Sequence, residues 1–105
     1  MAIEYNVLMS SDANNDLDKI FAYIANTLYS KQTANNLMQE IHELILSLNV
    51  MPHRWSLSLD SVLARKGYRR AIVKNYVILF LIDENEKTVT VARVIHGSRN
   101  YAQYI

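Results

Sequence analysis

The chain has no cysteine among its 105 residues, a single proline and a single tryptophan. The absence of cysteine excludes a disulfide framework and thiolate-ligated metal, and it agrees with a reducing compartment. No apolar run approaches the ~18 residues of a membrane-spanning helix. No basic segment is followed by an apolar one of signal length. A cytoplasmic protein without a membrane partner is therefore expected. Half the residues are hydrophobic and a fifth are charged, as in an ordinary globular domain. The length suits one domain spanning residues 1–105, large enough to bury a core without staples.

Cations are scarce in the first half. Residues 1–53 hold Lys19 and Lys31 against six acids, a net −4; residues 54–105 hold nine Lys and Arg against Asp60, Asp83, Glu84 and Glu86, a net +5. The second half is thus a face for an anion, either nucleic acid or an acidic protein, or else a solvated strand edge.

Residues 67–82, GYRRAIVKNYVILFLI, form the central stretch. They read as a β-hairpin with arms at 68–73 and 76–82 and a Lys74-Asn75 turn. The second arm is nearly all apolar, as in the middle of a covered sheet. Residues 3–9 alternate, which predicts an N-terminal strand. Ser10, Ser11 and Asp12 offer helix caps. Leu17, Ile20, Phe21, Ile24 and Leu28 make one helical stripe, and Ala34, Leu37, Met38, Ile41, Leu44, Ile45 and Leu48 make a second behind a Ser30 cap, stopped at Pro52. The short link between them requires an antiparallel helical hairpin. Residues 53–66 show no period and are expected to be a loop, with a helical turn near 59–63 and Trp55 as a lid on the core or a stacking group. Residues 88–96 alternate again, with Val89, Val91, Arg93 and Ile95 on one face. The expected class is α+β: an N-terminal strand, a helical hairpin, then a three-stranded antiparallel segment forming one sheet.

At these spacings the segments ANNDLDKIFAYI, Ala34 to Pro52, YRRAIVKNYVILFLID and TVTVARVIHGSR together resemble the RelE/ParE toxin superfamily, and its ParE-like branch in particular. The resemblance covers nearly the whole chain. It implies a toxin of a type II toxin–antitoxin pair, linked to plasmid stabilisation and growth inhibition, with an antiparallel sheet, a helical hairpin packed on it, and a cognate antitoxin that wraps it. It leaves two targets, DNA gyrase for ParE-like members and messenger RNA in the ribosomal A site for RelE-like members, and beside them a third reading, a degenerate toxin that only binds its antitoxin.

Metal-free RNA cleavage needs a base for the 2′-OH, cations for the phosphate and an acid for the leaving oxygen. Resemblance to the ribonuclease branch points to Arg70, Arg99 and Tyr104, and the near-neutral pKa of an imidazole adds His96 as a proton carrier, to give the catalytic set. The clearest departure is Val77, where that branch carries arginine, and valine there is compatible with the gyrase-directed branch. The modest pI of about 8.0 also speaks against a ribosome binder, which needs many phosphate contacts. Arg69, Arg70, Lys74, Arg99, Tyr101 and Trp55 are the candidates for gripping a target or antitoxin. If residues 68–73 are a strand, Arg69 and Arg70 point to opposite faces. Arg93 is expected in a partly buried ion pair, and His96 is as readily structural as catalytic. The three histidines show no metal-ligand spacing with acids, so neither metal nor cofactor is expected.

Overall fold

A computed structural model describes residues 3–27 and 30–97. In order, the elements are β1 (Asn6–Met9), α1 (Ser11–Ala22) running into a π-helical turn (Tyr23–Thr27), α2 (Lys31–Ser47), a 3-10 turn (Pro52–Arg54), α3 (Ser61–Arg65), β2 (Arg69–Val73), β3 (Tyr76–Asp83) and β4 (Thr88–His96). The sheet runs β1-β4-β3-β2. The three C-terminal strands are antiparallel, and β1 lies parallel to β4. The sheet is therefore mixed rather than wholly antiparallel, because the helical hairpin acts as the crossover that parallel strands require.

The caps form where the side chains allow. Ser10 Oγ accepts from the Ala13 N–H at 3.0 Å, and Ser30 Oγ accepts from the Thr33 N–H at 3.2 Å. The end of α2 lies ahead of the expected stop: its C-cap is Leu48, and Pro52 instead opens the 3-10 turn. Arg54 folds back on this helix end and donates to the Val50 carbonyl at 2.7 Å and to Ser47 Oγ at 2.9 Å, matching a cation to the negative end of the helix dipole. The π turn places two successive residues, Ile24 and Ala25, in the core, which a regular helix does less readily. The short helix expected near 59–63 lies at Ser61–Arg65, because Asp60 caps it by accepting from the N–H groups of Val62 and Leu63.

Each face of the sheet carries its own core. The hairpin packs Ile24, Ala34, Leu37, Ile41, Ile45 and Leu48 against Ala71, Val73, Ile78, Phe80, Val89 and Val91. Full burial of one such aliphatic side chain is worth about 1.5–3 kcal/mol. On the other face Leu63 of α3 meets Val77, Leu79 and Ile95, with Tyr68 at the margin.

One β-bulge departs from simple alternation. Leu79 pairs with Arg93 and Phe80 with Val91, so Ala92 is the extra residue. Val91 and Val94 then both reach the hairpin core, while Ile95 joins the opposite one. The expected single face of Val89, Val91, Arg93 and Ile95 is broken here, because an inserted residue shifts the alternation beyond it. The bulge sits where β1 ends. There Ser10 donates its N–H to the Val91 carbonyl and its hydroxyl to the Ala92 carbonyl, at 3.0 and 2.7 Å, so the edge carbonyls left by β1 stay bonded. Beyond it Asp16 of α1 takes over as the neighbour of β4. It accepts from the Val94 N–H at 2.9 Å and from two nitrogens of Arg93 at 2.8 and 2.7 Å.

Candidate interaction surface

Arg69 and Arg70 leave β2 on opposite faces. Arg69 pairs across from Phe80 and Arg70 across from Leu79, and those partners belong to the two different cores. Arg69 is tied into the scaffold, donating to the Trp55 carbonyl at 2.7 Å. It thereby fastens the connector after α2 to the edge strand. Trp55 itself is half-buried and packs against the hairpin core as a lid, with its indole N–H buried and without a partner.

Arg70 is different. Its Nε is buried without a hydrogen-bond partner, and its guanidinium forms no ion pair among the described residues. A buried donor atom without an acceptor is an incomplete interaction. It projects on the face that carries α3, beside buried Leu79 and near exposed Ile72.

Lys74 heads the β2–β3 turn in the left-handed region, with φ of 54°, which a side chain occupies at a cost. Its amine is 3.7 Å from Glu40 of α2, with both side chains largely exposed, a pairing worth little in water. His96 packs edge-on against Tyr76, ring centroids 5.4 Å apart. Both line a groove of about 1020 Å³ between the connected end of the helical hairpin and the β2–β3 turn, together with Lys19, Tyr23, Glu40 and Lys74.

Tyr76 pairs with His96, and Tyr76 packs on the hairpin side. His96 and Arg70 therefore sit on opposite faces of the sheet, and the fold does not bring these two members of the proposed RNA-cleaving set together. Arg99, Tyr101 and Tyr104 lie outside the described residues. Val77 is 3% exposed and part of the second core, so this position faces Leu63 and Ile95 rather than solvent. The expected ion pair of Arg93 is formed, with Asp16.

Two features escaped the sequence. The first is a clasp around Glu84, which accepts from the Tyr5 hydroxyl at 3.0 Å and from the Lys87 amine at 2.8 Å, with His53 Nε2 at 2.9 Å. These bonds hold the Glu84 carboxyl below its ordinary value of 4.5, the Lys87 bond most of all. Burial raises the Tyr5 hydroxyl above 10.0, reinforced by the carboxylate it bonds, and that carboxylate also raises Lys87 above 10.5. The clasp ties the N-terminal segment, the 3-10 turn and the β3–β4 turn together. The second feature is the outer side of α3, where Leu59 and Val62 are 75% and 44% exposed. Asp60 between them, a cap residue, was the only available signal.

The family model for the ParE toxin of the type II toxin–antitoxin system parDE matches residues 7–101. The chain belongs to the ParE toxin family. It is a toxin of type II toxin–antitoxin type within the ParE/RelE superfamily. Among solved structures, the chromosomal ParDE toxin–antitoxin system from P. aeruginosa is similar at 18% identity, covering 90% of this chain and 98% of that one, with a TM-score of 0.73. The toxin–antitoxin complex RelBE2 from Mycobacterium tuberculosis is similar at 22% identity, covering 90% and 99%, with a TM-score of 0.63. At these identities the likeness is one of fold. A search of curated protein sequences finds no match. Among the described residues no helix is long and apolar enough to cross a membrane.

Proposed function

We propose that this ParE-family toxin inhibits bacterial growth by gripping a protein target, DNA gyrase, rather than by cutting RNA, and that a cognate antitoxin neutralises it in the cytoplasm. The observation that carries this reading is the separation of Arg70 from His96 by the thickness of the sheet. Cleavage at a phosphodiester needs the cation and the proton carrier on the same few ångströms of substrate. Here one faces the α3 side and the other the hairpin groove. Buried Val77 supports the same reading, since no cation stands on the strand between them.

A binding mode uses other features of the molecule. The groove at the connected end of the helical hairpin and the α3 face each present apolar groups beside cations. Lys74 and Arg70 belong to these surfaces, whereas Trp55 packs as a lid on the hairpin core and Arg69 serves the scaffold through its bond to the Trp55 carbonyl. Arg99 and Tyr101 remain candidates for the same contacts.

Ribosome-dependent RNA cleavage is the second reading, and the unpartnered guanidinium of Arg70 is what favours it. The two are separated by pulse labelling in bacteria after the chain alone is induced, with DNA and protein synthesis followed separately. Early failure of DNA synthesis is expected. Collapse of protein synthesis first, with loss of toxicity in Arg70→Ala, would overturn the gyrase reading.

A further inference from the structure

The connector from α2 to the middle of β2 is unlike the rest of the surface. Residues 51–72 carry Arg54, Arg65, Lys66, Arg69 and Arg70 against one acid, Asp60. Two of these cations serve the scaffold: Arg54 on the end of α2 and Arg69 on the Trp55 carbonyl. Asp60 is also occupied, since its carboxylate caps α3. That leaves Arg65 and Lys66 exposed at the end of α3, and Arg70 with a buried, unpartnered Nε.

Exposed apolar side chains stand among them. Leu59 occupies the position before the cap of α3, where a hydrophobic residue ordinarily folds onto the first turn of the helix. Instead it is 75% exposed. Val62, Arg65 and Lys66 share one side of α3 by their three- and four-residue spacing. Leu63 seats α3 on the sheet face opposite the helical hairpin. Arg70 and Ile72 leave β2 on that same face, and Ile72 is exposed. Leu59 leads directly into this helix, so apolar and cationic groups meet on one side of the molecule.

We propose that this α3–β2 ridge is the docking site for an acidic, apolar-anchored segment of the cognate antitoxin, with one carboxylate seated on Arg70. The inference rests on the toxin reading above and adds to it the place and the chemistry of the contact. Charge complementarity selects the occupant. The ridge has cations to spare and no free carboxylate, and Arg70 is part-buried with its Nε unpartnered among the described residues. A carboxylate can take the guanidinium in a fork geometry. Leu59, Val62 and Ile72 supply the apolar contact that an ion pair alone lacks.

The test uses the full chain and its cognate antitoxin, purified separately and titrated by calorimetry. Leu59→Asp with Val62→Asp places like charges against the acidic segment and should weaken binding about a hundredfold or more, whereas Arg70→Gln should weaken it about tenfold or more. Leu46→Asp, at an exposed apolar site on α2, should leave affinity unchanged. Leu59, Val62 and Leu46 are exposed whereas Arg70 lies beside buried Leu79, and thermal melts of each variant check the fold. Wild-type binding with unchanged affinity in both ridge variants would overturn the inference and leave the toxin reading intact. Unchanged antitoxin affinity with lost toxicity would also overturn it, by giving the ridge to the target. Absence of binding to the wild-type chain, together with absence of toxicity, would remove the toxin reading itself.

Discussion

The Asp16 carboxylate should contribute more to stability than any other single polar group in the described residues. It joins α1 to the far half of β4, where β1 no longer runs. Its oxygens accept from two nitrogens of Arg93 and from the Val94 N–H, at 2.7 to 2.9 Å. The side chains are 11% exposed for Asp16 and 19% for Arg93. Substitution by alanine removes all three bonds and leaves a strand N–H without its acceptor. Breaking a buried, hydrogen-bonded pair from one side costs about 3–5 kcal/mol, and partial exposure places Asp16→Ala near the lower end, at about 3 kcal/mol. A domain of this size has about 5–15 kcal/mol in total, so the melting temperature should fall by about 10–20 °C. Asp16→Asn keeps the shape and one acceptor and should cost about half as much. In an Arg93→Met background the alanine substitution should cost less, because part of the penalty is the guanidinium left without this carboxylate. Urea unfolding of the five proteins measures these differences. A loss under about 1 kcal/mol for Asp16→Ala, or equal losses in both backgrounds, would refute the reasoning.

The Glu84 clasp predicts a pH window. Glu84 titrates below its ordinary 4.5 in the folded chain, so its contribution is present above that value and is lost as pH falls through the lower, folded one. Tyr5 and Lys87 are raised above 10.0 and 10.5, so theirs is present below those values and is lost as pH rises through the higher, folded ones. Glu84→Gln should flatten both limbs of a stability–pH curve, and unchanged limbs would count against the clasp. Val77→Arg would force a cation against Leu63, Leu79 and Ile95. It should cost about 2–4 kcal/mol without creating RNA cleavage, read by thermal melting and by toxin-dependent cleavage of messenger RNA.

The helical hairpin and the central β-hairpin were legible in the sequence because their signals are local. Ser10 and Ser30 sit where caps belong, the stripes of α1 and α2 repeat at helical spacing, and residues 76–82 are continuously apolar. The opposite projections of Arg69 and Arg70 followed from strand alternation alone. Features set by long-range packing were not legible. The parallel pairing of β1 depends on where the hairpin returns the chain. The bulge at Ala92 depends on Ser10 taking over the edge of β4. That bulge in turn split Arg93 from the valines that its alternation had grouped with it. His53 and Glu84 lie far apart in sequence, and no periodicity links them.

The candidate site shows the same division between local and distant determinants. Arg70 and His96 were grouped because their residue types suit one reaction, yet a sheet gives residue type and residue direction independently. Twenty-six positions separate them, and which face each takes depends on the register of two strand pairings and on the bulge between. A single slipped residue would have put both on one side. The register instead places the cation beside Leu79 and the imidazole beside Tyr76. The sheet thus separates two surfaces with different chemistry. One is a groove rimmed by both signs of charge, at the connected end of the helical hairpin. The other is a cationic ridge with exposed leucine and valine. A toxin that must engage both an antitoxin and a cellular target can use two such surfaces for different partners, and in this fold a cation that touches one cannot also act on the other.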